Sequence, residues 1–128
     1  MDDLIAFLRA RLDEDADLAL AASPGPWRPD EEHDEVLAVD DIVVAEGFAL
    51  SGRQLRATVD HIARHGPARV LAEVKAKRKL LDEILWYEST LEMDRGCSGD
   101  PKTIPAALQV LALPYADHLD YQDTWRPS

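Results

Sequence analysis

The chain has 128 residues, with 14 Lys and Arg against 25 Asp and Glu, giving a formal charge of −11. That length suits one domain with its own core, and that charge argues against direct binding to nucleic-acid phosphates or anionic lipid. No apolar run approaches the roughly 20 residues of a membrane span, and a single cysteine, Cys97, excludes an internal disulfide. The opening residues are acidic and then amphipathic, unlike a secretory signal, so a cytoplasmic location is expected.

Residues 2–22 predict a first helix. Leu4, Ile5, Leu8, Leu12, Ala16 and Ala19 form one apolar stripe, and Asp2 or Asp3 can cap its start. Ser23-Pro24-Gly25-Pro26 then stops it, because proline lacks the N–H that a helix interior needs. Trp27 follows, and its large apolar surface is expected to plug the end of a core, with ligand stacking as the lesser reading.

The period changes over residues 35–46. EVLAV and IVVAE flank Asp40-Asp41, which reads as a two-residue hairpin turn. In that register Val39 faces Ile42 and Leu37 faces Val44, predicting one strongly apolar face, with Val36, Ala38, Val43 and Ala45 on the other. A lone hairpin is marginal. Two apolar faces therefore suggest a cover, or a third strand from around Trp27 and Arg28. Ser51 can cap a second helix over 52–65, with Leu55, Val59 and Ile62 inward.

The longest helical pattern runs over residues 67–93. Gly66 ends the preceding helix, and Pro67 suits a first turn, where its missing N–H would be unpaired anyway. Val70, Val74, Leu81, Ile84 and Leu91 make a stripe that Leu71 and Leu85 widen. Lys77 and Glu88 interrupt this seam, which argues against a long isolated coiled coil. It leaves a core helix, or a helix whose seam meets a second chain. Lys75, Lys77, Arg78 and Lys79 read as a solvated band pairing with nearby acids, and alternatively as a docking site for an acidic partner.

Residues 96–101 are loop by composition. Thr103 can cap a short last helix to about residue 113, with Leu108, Leu111 and Ala112 buried and Pro114 ending or kinking it. Tyr115, Tyr121 and Trp125 lie in an acidic tail. They are expected to pack back on the body, and are also candidate contacts for a protein partner.

Catalytic chemistry is weakly represented. His61 and His65 are four apart on a helix, a spacing that can place two imidazoles on one metal, with Asp60 or His118 needed to complete the site. The helix C-terminus is the plainer use for His65. Acid groups such as Asp30, Glu31 and Glu32, or Asp117, Asp120 and Asp123, are ordinary coincidences among 25 carboxylates. Cys97 has no local histidine to activate it. No catalytic residue, cofactor or metal is assigned.

Three stretches carry a family resemblance: Ser23-Pro-Gly-Pro-Trp27, HIARHGPARVLAEVKAKRKLLDE over 61–83, and LALPYADHLDYQDTW over 111–125. Together they resemble a domain of unknown function found in small proteins of actinobacteria and their phages. The turn at Pro24 to Trp27 is also similar to Ea22-like phage proteins. Relatives of this kind often carry a Cys/His-rich insert after the long helix, which the resemblance reads as a small zinc site. Here residues 94–103 retain only Cys97.

The expected fold is α+β and mainly helical, with the long helix, an N-terminal helix, a second helix and a short C-terminal helix around a β-hairpin or small antiparallel sheet. The expected function is that of a small acidic accessory or protein-binding module without enzymatic activity, acting on a protein partner or by self-association. An acidic, DNA-mimicking inhibitor of a nucleic-acid-binding protein is the alternative. An enzyme or metal protein using His61 and His65 comes third.

Overall fold

The computed structural model describes residues 1–95 and 104–128. It contains helices α1 (Asp2–Ala21), α2 (Gly52–Arg64), α3 (Pro67–Arg95) and α4 (Ala106–Ala112). Strands β1 (Arg28–Pro29), β2 (Glu35–Leu37) and β3 (Val43–Glu46) form one antiparallel sheet in that order. This is the mainly helical α+β architecture that the sequence predicts. The chain divides into two compact units, Met1–Glu14 with Lys75–Ser128, and Asp15–Val74. Each takes part of α1 and part of α3.

In the first unit, Leu4, Phe7 and Leu8 of α1 meet Leu81 of α3, Leu108 and Ala112 of α4, and Trp125. The α1 stripe is as expected, but Phe7 joins it. Its ring is met by Tyr115, His118, Tyr121 and Trp125, with centroids 5.1–6.4 Å away. Three of these meetings are edge-on, the arrangement that the ring quadrupole favours. α4 ends just before Pro114, as expected, and a 3₁₀ turn at Leu113–Tyr115 carries the chain into this aromatic cluster. Thr103, the expected cap of α4, lies outside the described residues, and Pro105 occupies the capping position.

The second unit is built on α2 and the sheet. Ser51 Oγ accepts the N–H of Gln54 at 3.2 Å, so the expected cap is present. Val59 and Ala63 cover Val36, with Trp27, Val44, Ala45, Leu55 and Ile62 around them. Gly47 is required by close approach. A Cβ there would lie 2.6 Å from Val59 Cγ2 and 2.7 Å from Leu55 Cδ1. Gly66 similarly lies under Trp27, where a Cβ would stand 3.1 Å from the ring's root.

The hairpin corrects two expectations. Its register holds at Glu35/Glu46 and Val36/Ala45, but an irregularity between Val36 and Leu37 pairs Leu37 with Val43. Such a bulge adds twist and re-aims the side chains beyond it. The expected division of faces does not hold, since Val43 is exposed along with Val39 and Ile42, while Val44 packs against the core. Val36 and Ala38 are buried. The reason is that Val36 and Ala45 belong to the cluster closed by α2. At the tip, Asp40 and Asp41 adopt φ of 59° and 58°, the left-handed region that Asp tolerates better than most residues.

Candidate interaction site

α3 is apolar on more of its circumference than its core contacts use. Leu81 is 1% exposed, and Ile84 and Leu85 pack beside it. Their neighbours behave differently: Leu80 is 50% exposed, Tyr87 57%, Trp86 65% and Met93 82%. Leu80 and Tyr87 are seven apart, as are Trp86 and Met93. At 3.6 residues per turn they make two rows on the solvent side of the helix.

Tyr87 and Trp86 border a groove of about 480 Å³. Ile84, Glu83 and Glu88 complete its α3 side, and Pro105, Ala106 and Ala107 form the side at the start of α4. The floor is therefore aromatic and aliphatic, and two carboxylates stand among its lining residues. A surface of this kind suits an apolar side chain flanked by a cation, and exposed aromatics are the residues most enriched where proteins meet. The sequence carried a signal for it. Leu80, Trp86, Tyr87 and Met93 all lie off the core stripe at helical spacing.

The basic band lies on the same helix. Arg78 pairs with Asp13 at 2.7 Å, the neutralisation expected from a nearby acid. Lys75, Lys77 and Lys79 make no ion pair among the described residues, and Lys75 and Lys79 are exposed. Along α3, positive charge at 75–79 thus precedes negative charge at Asp82, Glu83, Glu88 and Glu92.

The tail aromatics take structural positions. Trp125 is 4% exposed, and Tyr115 and Tyr121 are half-buried. Of the three, Trp125 offers a partner the least surface, because the core takes up its ring. His118 is held there too. Arg11 points an N–H at its Nε2, and the backbone N–H of Asp120 points at its Nδ1 at 3.0 Å. A neutral imidazole can accept only one of these.

In the second unit, His61 and His65 are both exposed, with rings 4.4 Å apart. His65 Nδ1 stands 2.7 Å from the His61 carbonyl, which can only accept, so that nitrogen carries the proton. Asp60, a possible third ligand, is 2.6 Å from His33 Nδ1 instead. That pair lines a shallow cleft of about 360 Å³ with Trp27, Arg28, Pro29, Ala63 and Arg64.

Among the described residues, the set of three groups close enough for one metal is Asp30, Asp34 and Glu35, within 4.8 Å of one another. It includes neither His61 nor His65. The Asp30 carboxylate accepts the N–H groups of Asp34 and Glu35 at 3.0 and 3.1 Å. Loss of hydration opposes its charge, but these and other hydrogen bonds win and hold Asp30 below the usual carboxylate value. Asp34 is raised by its hydrogen bond to the Asp30 carboxyl, then by lost hydration. Glu35 is raised by lost hydration, then by repulsion from Asp30 and Asp34. Asp30, drawn from sequence as part of an acid group, thus spends its carboxylate on organising a turn.

Residues 1–127 match the sequence profile of a family described as Family of unknown function (DUF6221). The chain belongs to this family. The DUF6221 match spans almost all of the chain, and the three sequence stretches fall within it. No match was found among curated proteins or among solved structures.

Proposed function

We propose that the protein is a small acidic accessory module without enzymatic activity, and that it works by binding protein through the outer face of α3. The observation carrying this reading is the exposure of Leu80, Trp86, Tyr87 and Met93 on a helix whose other face is already committed to a core. Four large apolar side chains on one short stretch cost solubility unless they meet a partner. The actinobacterial or phage setting suggested by the sequence motifs, and a cytoplasmic location, belong to the same reading.

Affinity capture from a native lysate tests it, comparing the wild type with Trp86→Ala/Tyr87→Ala. A salt-resistant prey, or the protein itself, retained by the wild type and lost by the double variant supports the reading. Equal capture by both overturns it. The DNA-mimic alternative rests on net charge, and it predicts a basic nucleic-acid-binding prey that high salt removes from both proteins.

A further inference from the structure

We propose that the partner of this face is a second copy of the chain, docked with its α3 antiparallel to the first. This rests on the docking reading above and names its partner. The first argument is charge order. On the exposed side of one helix, positive charge at Lys75 and Lys79 precedes negative charge at Asp82 and Glu83. An antiparallel copy lays each basic segment beside the other's acidic one, whereas a parallel copy sets like against like. Arg78 is already engaged with Asp13, so Lys75 and Lys79 are the exposed cations left for the contact.

The second argument is size. The register that sets Lys79 level with Glu83 of the copy also sets Ala76 level with Trp86 and Lys75 level with Tyr87. Ala76, Lys79 and Glu83 are all exposed. A small side chain thus meets the largest one, and an ammonium group comes within reach of aromatic faces. Two-fold symmetry makes each of these contacts twice. The groove between Tyr87 and the start of α4 then receives the basic end of the partner helix, where Glu83 and Glu88 stand.

Sedimentation equilibrium of the full chain, from about 1 to about 100 µM, tests this across the range where a single helix pair would associate. The expected result is a monomer–dimer equilibrium that weakens as salt rises. Lys79→Glu and Glu83→Lys should each weaken it by about tenfold or more, because both symmetry-related contacts turn repulsive. Combining the two should restore the dimer, with circular dichroism unchanged throughout. A monomer at every concentration, or dimers indifferent to all three variants, would overturn the proposal. A monomeric wild type that still captures a foreign prey through Trp86 and Tyr87 would also overturn it, while leaving the docking reading standing.

Discussion

Leu80 and Leu81 are the same residue one position apart, and Leu85 and Trp86 are similarly adjacent and apolar. Leu81 lies in the core with Leu4, Leu8 and Leu108, while Leu80 and Trp86 face solvent. Both faces of α3 thus carry large apolar residues, put to opposite uses. One is satisfied within the chain. The other has hydrophobic area that the fold does not employ. Apolar residues on a helix therefore report contact, but not whether that contact is internal.

The largest test of this contrast is on the inner side. Trp125→Ala should cost about 3–5 kcal/mol in urea unfolding, because it empties the centre of the aromatic cluster around Phe7. Leu81→Ala should cost about 2–5 kcal/mol, while Leu80→Ala in dilute protein should stay within about 1 kcal/mol. Equal losses at 80 and 81 would erase the distinction between the two faces. Outside this helix, Ser51→Ala should cost about 1 kcal/mol by releasing the Gln54 N–H at the start of α2.

The acid cluster gives a smaller effect with a definite sign. Asp30 is held below its ordinary pKa, so it adds stability at neutral pH that is lost as pH falls through its lowered value. Glu35 is raised, so its charge costs stability at neutral pH, and acidification through the raised value relieves that cost. Asp30→Asn should therefore lower the urea midpoint at neutral pH, and Glu35→Gln should leave it level or raise it. Both differences from wild type should shrink as pH falls through the carboxylate range, the one at Glu35 first and the one at Asp30 last. A Glu35→Gln variant clearly weaker than wild type at neutral pH would contradict this account.

Much of the fold was legible in the sequence. Proline and glycine at 24–26 and 66–67 mark the ends of α1 and α2, and the Ser51 cap is local chemistry. The third strand at Arg28–Pro29 was one of the options that a marginal hairpin required. The hairpin's buried face was not legible, because apolar residues occupy both faces and the arrival of α2 decides between them. Phe7 was missed because its importance comes from Tyr115, Tyr121 and Trp125, more than a hundred residues away. The exposed apolar residues of α3 were visible in the sequence, but only the completed core shows that they are spare. Cys97 lies outside the described residues.

The central claim is that the outer face of α3 serves association and not folding. Urea unfolding of Trp86→Ala beside wild type, at a protein concentration low enough to keep both monomeric, tests it most directly. The account predicts unfolding free energies that differ by no more than about 0.5 kcal/mol, the usual range for a surface position. A loss of about 3 kcal/mol or more, the size expected of a buried tryptophan, would make Trp86 a core residue and remove the docking face.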